Sequence, residues 1–577
     1  MVVSQKVALK NDWAGLAWLY LFFWVFSGVL QLIILSTGTA GFIGTRAAIY
    51  MSALWLIPVM FFPQHTRKIS AIIGLILLPF SLMGLGYLYI YHQEFSQSVL
   101  FIVFESNTAE SSEYISNYFS LGLLASLALY TALTFYLWKN IKPVYLTNRS
   151  KIVISTLIIS LIFVVPFVSN MLIKHRSFDE TTERLAGRME PAVPWQTIIG
   201  FVNYKKQLDN MQQLLMQNAQ IPPLKNLKDD YAGLPSTLVL VIGESTNRQR
   251  MSLYGYDRKT TPNLDNLKNE LLTFTNVVSP RPYTIEVLQE VLTFADQSNP
   301  DLYMTQPSIM NMMKQAGYKT YWITNQQTMT KRNTMLTSFS KQTDEQYYLN
   351  NNRSQNAKQY DNAVFEPFKE VLKQPAPRKF IIVHLLGTHM NYKYRYPDDY
   401  AKFTDRQGVP PWVQNGQLDF YNSYDNAVLY NDYVVSTLIK TLSDTKNKSL
   451  LLYLSDHGEE VYDTEGINFK GRNEVAPLPS MYTVPFIVWA SPLWKNTHTQ
   501  EYLQNLKTTL HRPYGSENLI HTWADLAGLH FDEFDASKSI VSQDFKEYPR
   551  LIGDPYSKKP LIDFNQLIQN TSIVNKN

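Results

Sequence analysis

Five long apolar runs, all before about residue 175, constrain this chain of 577 residues more than any other feature it has. A helix needs about 20 predominantly apolar residues to cross a bilayer. The runs lie near residues 13–36, 47–62, 69–91, 118–138 and 152–173. The first is too long and too aromatic for a cleavable signal peptide and no small-residue cleavage site follows it, so it reads as an anchor. Loop charges set the direction. Lys6 and Lys10 precede the first run, Arg67 and Lys68 separate the second from the third, and Lys139, Lys142, Arg149 and Lys151 separate the fourth from the fifth. The loop after the third run carries Glu94, Glu105, Glu110 and Glu113 with no Lys or Arg. The N-terminus is therefore expected in the cytoplasm. With five crossings, everything after the fifth lies outside, in the periplasm of a bacterium with two membranes.

The pattern divides the chain into a transmembrane domain over 1–174, a linker over 175–235 and an outer domain over 236–577. In the linker, Trp195, Ile198, Ile199, Val202 and Leu208 recur at helical spacing with Lys205, Lys206 and Asp209 between them. This predicts an amphipathic helix, on the membrane surface or against the outer domain. Pro222-Pro223 and Gly233-Leu234-Pro235 close the linker. From Ser236, short β-rich runs at 237–242, 272–277, 319–324, 380–385, 450–454 and 484–490 alternate with helical patterns at 285–295, 308–316, 361–372 and 426–442. The expected fold is α/β, a mostly parallel sheet sandwiched by helices. A net charge of only +4 with 17% charged residues gives no footprint for nucleic acid. The chain has no cysteine, which excludes disulfides, thiolate metal sites and a Cys nucleophile.

Polar residues gather where the apolar strands end. The run 237–242 leads into Gly243-Glu244-Ser245, the run from Phe380 into His384 with His389 close behind, and the run from Leu450 into Ser455-Asp456-His457-Gly458-Glu459-Glu460. Taken alone, the last segment is also a charged turn after a strand. Ligands bind at the carboxyl ends of strands in open α/β sheets, and carboxylate oxygen and imidazole nitrogen are donors for zinc or manganese. Three strands delivering Glu244, His384 with His389, and Asp456 with His457 predict a metal site. Ser279-Pro280-Arg281-Pro282-Tyr283-Thr284 precedes an amphipathic helix marked by Ile285, Val287, Leu288, Val291 and Leu292. Thr284 at the N-cap has two readings. It is a favoured cap, and it is also a hydroxyl placed where free N–H groups favour a phosphate and a metal would activate it. The acidic loop Phe104–Glu110 is a solvated loop or a contact for an amine-bearing lipid headgroup.

Gly243-Glu244-Ser245, Tyr254-Gly255-Tyr256, Thr284 opening a helix, Asn325-Gln326 and Ser455-Asp456-His457-Gly458-Glu459 resemble the alkaline phosphatase/sulfatase superfamily. More narrowly they resemble the bacterial inner-membrane lipopolysaccharide phosphoethanolamine transferases. The resemblance covers essentially the whole chain, the five-span part included. Members that modify lipid A carry several disulfides in their soluble domains. The lack of cysteine here, with Arg281-Pro282-Tyr283-Thr284-Ile285-Glu286-Val287, resembles instead the branch that modifies phosphorylated heptose of the inner core.

The resemblance implies a catalytic zinc held by Glu244, Thr284, Asp456 and His457, with Thr284 as the phosphoryl acceptor. It implies phosphatidylethanolamine as donor, a lipopolysaccharide acceptor and release of diacylglycerol. His384 and His389 match histidines that contact a second zinc or the phosphoryl oxygens. Lys470, within Phe469-Lys470-Gly471-Arg472, stands where many relatives have a further histidine. A lysine there can contact phosphate, but it weakens the case for a second zinc. Ser106 and Glu110 match positions linked to lipid substrate. Glu459 and Glu460 receive no ligand role and are expected to shape the turn. Sulfate-ester hydrolysis is disfavoured, because Thr284 lacks the Cys/Ser-x-Pro/Ala-x-Arg context that formylglycine needs. Three alternatives remain at this point: a phosphoglycerol transferase of the lipoteichoic-acid type, a lipid A phosphoethanolamine transferase, and a catalytically dead protein that only binds glycolipid.

Overall fold

The computed structural model describes residues 12–36, 42–91, 120–202, 205–206, 209, 221–327, 333–350, 360–557 and 559–574. The chain forms two compact units, Met1–Asp209 and Asn210–Asn577.

In the first unit, five helices are long and apolar enough to cross a membrane among the described residues. They are α1 (Trp13–Ser36), α2 (Gly44–Phe61), α3 (Pro63–Ile90), α4 (Leu121–Lys139) and α5 (Asn148–Ile173). Each expected run is largely helical over its described residues, since only internal backbone bonding satisfies the peptide groups of an isolated segment in hydrocarbon. α1 is the most enclosed of the five. Its Leu19, Phe22, Val25 and Phe26 join a core with Val59, Leu77, Tyr130 and Leu137 from α2, α3 and α4. Buried hydroxyls are spent on carbonyls of α1: Tyr130 donates to Val25 at 3.1 Å and Ser81 to Phe26 at 2.8 Å.

A further helix, α6 (Phe178–Met189), is capped by Ser177. The amphipathic run is helical over 195–202, and Leu208 lies outside the described residues. Trp195 turns inward and stacks over Trp55 of α2, with ring centroids 6.3 Å apart, while Ile198, Phe201 and Val202 are exposed.

The second unit is built on a seven-stranded sheet. Its strands are β1 (Ser236–Gly243), β2 (Leu271–Phe274), β3 (Lys319–Gln327), β4 (Glu345–Asn350), β5 (Arg378–His384), β6 (Ser449–Ser455) and, after a short hairpin of β7 (Glu460–Val461) and β8 (Lys470–Gly471), β9 (Phe486–Ala490). The spatial order is β2-β9-β6-β1-β5-β3-β4. β9 runs antiparallel to both its neighbours, and the β6-β1-β5-β3-β4 pairings are all parallel. All six expected strands are present. β4 was missed because its sequence has no apolar run; it is a half-buried edge strand. The run 272–277 breaks after Phe274, and Val277–Val278 pair instead with Tyr514–Gly515.

The helices of this unit include α7 (Thr284–Val291), α8 (Ile309–Gln315), α9 (Phe365–Lys373), α10 (Leu418–Asp444), α11 (Leu519–Ala527) and α12 (Phe564–Val574). β1, β5 and β6 are buried at every residue, as a strand with both faces covered must be. α10 lays Tyr424, Val428, Val435 and Leu438 in one cluster with Val239, Val241, Val383, Leu451 and Tyr453 of these strands. It begins at Leu418 rather than near Asn426, because the stretch 421–426 is rich in polar residues yet buried. There Asp425 pairs with the enclosed guanidiniums of Arg250 at 2.7 Å and Arg258 at 2.8 Å.

Candidate active site

Strand register builds the site. Ile242 lies beside His384 and Gly243 beside Ser455, so β1, β5 and β6 end level. Glu244, the turn after His384 and the Asp456-His457 pair therefore leave one sheet edge, with Asn325-Gln326 of β3 beside them. The Asp456 N–H donates to the Gly243 carbonyl at 3.1 Å, continuing the ladder one step past the strands. Two left-handed positions fix the exits. Ser245 has φ +58, a costly conformation for a non-glycine residue, and is held there by its N–H to Asp456 Oδ1 at 3.0 Å and its hydroxyl to Glu244 Oε1 at 2.8 Å. Gly387 has φ +55, and a Cβ on it would stand 2.6 Å from the Glu244 carbonyl oxygen. Asp361, buried, accepts from the Leu386 and Gly387 N–H groups at 2.8 and 2.7 Å and from Asn325 at 2.8 Å, tying β3, β5 and this turn together.

Thr284 is the first residue of α7, and Tyr283 occupies the cap position without a side-chain cap. The capping reading therefore fails. The buried Thr284 hydroxyl instead donates to Glu244 Oε2 at 2.9 Å and lies 3.4 Å from His457 Nε2. Gln326 Nε2 donates to the same Glu244 oxygen at 3.3 Å and to the Leu385 carbonyl at 2.8 Å. His457 Nδ1 lies 2.8 Å from the Gly458 carbonyl, which assigns its proton to Nδ1 and leaves the Nε2 lone pair facing the site. Arg472 Nη1 donates to that lone pair at 2.6 Å and stands 3.5 Å from Glu244 Oε1.

Glu244, Asp456 and His457 are buried, and one donor atom from each lies within 4.8 Å of the others. Asp456 Oδ2 has no hydrogen-bond partner among the described residues, although His457 Nε2 stands 3.3 Å away. Burial, and then the nearby Glu244 charge, push the Asp456 carboxyl well above its ordinary range. Burial also raises Glu244, but the adjoining His457 ring first of all, with His389 and Arg472, outweighs it and holds that carboxyl well below the usual range. Two carboxylates this close, with one oxygen orphaned, form a donor set that a divalent cation satisfies. The Thr284 hydroxyl adds a fourth donor to it.

The other expected residues divide. His384 is fully buried, its ring edge-on to Trp322 with centroids 6.0 Å apart. Neither ring nitrogen has a hydrogen-bond partner among the described residues, and burial lowers the ring to about 4 despite the Glu244 charge. His389 is near enough for its charge to act on Glu244. Neither histidine belongs to the three-residue donor group. Lys470 places its ammonium 3.1 Å over the Phe420 ring, so the cation that reaches Glu244 and His457 is Arg472. Ser106 and Glu110 lie outside the described residues.

Reading the sequence missed roles for Arg472, Gln326 and Glu459. Glu459 is more than a turn residue. It is fully buried, accepts from the Tyr392 hydroxyl at 2.9 Å and is the foremost charge holding the Arg472 guanidinium protonated against burial. Glu460 does shape the loop, accepting from Thr464 and Ser480. The only sequence signal for Arg472 was a second cation two positions after Lys470.

Comparison with known proteins agrees with this geometry. Residues 236–529 match the sulfatase family. The chain is 52% identical over 570 residues to the phosphoethanolamine transferase EptC of Escherichia coli strain K12, covering 98% of each protein. The crystal structure of the C-terminal periplasmic domain of EcEptC from Escherichia coli, in complex with zinc, superimposes with a TM-score of 0.58. It is 57% identical and covers 60% of this chain and 97% of that one. The integral membrane lipooligosaccharide phosphoethanolamine transferase EptA of Neisseria meningitidis, 18% identical, shares the fold over 93% of this chain and 97% of its own, with a TM-score of 0.59. A five-helix apolar unit, a sulfatase-type sheet with its donor group at one edge, and half identity over nearly the full length lead to one assignment: the chain belongs to the phosphoethanolamine transferases of the sulfatase family.

Proposed function

We propose that this protein moves phosphoethanolamine from phosphatidylethanolamine to a lipopolysaccharide acceptor, the inner-core heptose, through a phosphoethanolamine ester of Thr284. The observation that carries the reading is the Thr284 hydroxyl, which leaves its own helix uncapped and points at Glu244 and His457. Glu244, Asp456, His457 and Thr284 would hold a zinc ion, as their oxygen and imidazole donors and the orphaned Asp456 oxygen fit one. Bound there, zinc supplies Lewis acidity and lowers the pKa of the threonine hydroxyl.

The chain's own residues do the rest. Thr284 Oγ1 attacks the phosphorus of the donor, and its proton has Glu244 Oε2 as acceptor along the bond already present at 2.9 Å. The bond from phosphorus to the diacylglycerol oxygen breaks, and that oxygen takes up the proton passed to Glu244 and leaves as the hydroxyl of diacylglycerol. An acceptor oxygen then attacks the ester in line and restores Thr284. Arg472, kept charged by Glu459, Glu244 and Asp456, pairs with the non-bridging phosphoryl oxygens as charge builds. The first-turn N–H groups of α7 add fixed donors. Gln326 and Asp361 position Glu244 and its neighbouring turn. Donor and acceptor are both lipids, so anchoring the site by five helices lets it meet them without extracting either from the membrane. The inner membrane with an outward catalytic unit is the setting, with the N-terminus in the cytoplasm.

Mass spectrometry of lipopolysaccharide from cells making the parent protein or Thr284→Ala tests this. The parent adds phosphoethanolamine to core heptose, and the variant adds none at equal protein level. Undiminished modification in the variant contradicts the mechanism, and phosphoethanolamine on lipid A alone contradicts the acceptor.

A further inference from the structure

We propose that a cleft beside the β7–β8 hairpin is a carbohydrate subsite, seating one sugar ring of the acceptor by stacking on Trp412 and hydrogen bonding its hydroxyls. The cleft encloses about 220 Å³ and is lined by Gln249, Trp412, Asp463, Thr464, Glu465 and Ser480, among others. That is below the roughly 300–1,000 Å³ of pockets for drug-sized ligands, so it takes a single small polar unit. Trp412 is 38% exposed, although most tryptophans hide their ring. Its indole N–H donates to the Tyr462 carbonyl at 3.1 Å, which pins the ring and commits its one polar atom. What remains to offer a ligand is a flat apolar face, the complement of the C–H face of a pyranose.

The polar wall is fixed in place before any ligand arrives. Asp463 is held by Arg250 at 2.8 Å and accepts from the Val461 N–H at 2.8 Å. Thr464 donates to the buried Glu460 through its N–H at 2.8 Å and its hydroxyl at 3.0 Å, and Ser480 donates to the same carboxylate. A preordered wall of carboxylate and hydroxyl groups loses little freedom on binding. Its carboxylate and hydroxyl oxygens accept from vicinal hydroxyls, and the Gln249 amide supplies the donor. The charge of the cleft argues for a neutral polyol over a phosphate. Two carboxylates, Asp463 and Glu465, line it, and the guanidinium behind it, on Arg250, is already paired with Asp425 and Asp463.

The placement links the cleft to the site of transfer. β7 and β8 pair antiparallel, with Val461 opposite Lys470 and Glu460 opposite Gly471. The root of this hairpin carries His457 on one side and Arg472 on the other, and its connection carries Asp463, Thr464 and Glu465. One element therefore bears both the site residues and the wall of the cleft. Assigning the seated sugar to the acceptor rests on the transferase reading; sugar binding in the cleft does not.

The experiment separates the two half-reactions of the full-length protein in detergent. Formation of the Thr284 adduct is followed from phosphatidylethanolamine alone, and its discharge after lipopolysaccharide is added. Trp412→Ala and Gln249→Ala are expected to form adduct at the parent rate while the acceptor KM rises about tenfold or more for the tryptophan variant. Trp412→Phe, which keeps an aromatic face, recovers most of that loss. An acceptor KM unchanged in both alanine variants overturns the subsite. A KM rise for phosphatidylethanolamine in the first step overturns it too, since the cleft then takes the headgroup ammonium. Saturation-transfer NMR with a methyl heptoside is independent of turnover. Signal with the parent and none with Trp412→Ala supports the subsite even if no Thr284 adduct forms, and equal or absent signal in both contradicts it.

Discussion

Arg472 and Lys470 are two cations two positions apart, and their surroundings separate their roles. The Arg472 guanidinium is enclosed by Glu459, Glu244, Asp456 and the His457 ring. The Lys470 ammonium rests on the face of Phe420. If Arg472 supplies charge to the phosphoryl group, Arg472→Ala lowers the transfer rate by about 10²–10³-fold, the range for loss of one preorganised donor to a developing anion. Lys470→Ala changes it far less. Arg472→Lys recovers only part, because a point charge cannot reproduce the guanidinium fork. Rapid-quench measurement of single-turnover transfer separates these outcomes. Equal losses at both positions would return the phosphate contact to Lys470. The same residue-level logic explains why Arg472 was hard to find. Its partners lie 15 and 228 positions away along the chain, and only the pairing of β7 with β8 brings it in.

At the scale of elements, buried parallel strands were legible from their apolar runs, and with them Glu244, Asp456 and His457, because a strand's end is visible in sequence. Thr284 was legible as the opening of a helix, but which way its hydroxyl points depends on Glu244, forty residues earlier. β4 was not legible, since an edge strand needs no apolar run, and neither was the early start of α10, whose polar turns are buried only because Arg250 and Arg258 meet Asp425 there. α11 carries a pH sensitivity of the same tertiary origin. His521 is buried beside Phe294, accepts from the Asp535 N–H at 3.2 Å, and is lowered to about 4 by burial and by the Lys538 charge. An unfolded histidine titrates near 6.5, so the folded unit excludes a proton that the unfolded chain takes up. The stability this group contributes is complete above pH of about 6.5 and is lost as pH falls toward about 4, a difference of about 3 kcal/mol. Denaturant titrations between these values should therefore show the parent losing about 3 kcal/mol more stability than His521→Gln as pH falls, a difference in slope between the two proteins. An unchanged slope would contradict the burial argument.

At the scale of the whole molecule, membrane topology decides whether the site can meet its lipids. The absence of cysteine makes this directly measurable, since any introduced thiol is unique. A cysteine at Lys142, between α4 and α5, should react with a membrane-impermeant maleimide only after the inner membrane is opened. One at Arg176, past α5, should react in spheroplasts at once. The reverse pattern would place the catalytic unit in the cytoplasm, away from finished lipopolysaccharide. The central claim, a covalent phosphoethanolamine on Thr284, is tested most directly in the intact protein, loaded with zinc in nanodiscs containing phosphatidylethanolamine and no acceptor. After quenching, peptide mass spectrometry should find Thr284 carrying the mass of phosphoethanolamine, with the adduct disappearing once lipopolysaccharide is added. A phosphoglycerol mass from membranes offering both headgroups, an adduct on another residue, or transfer to lipopolysaccharide with Thr284 unmodified throughout would contradict it.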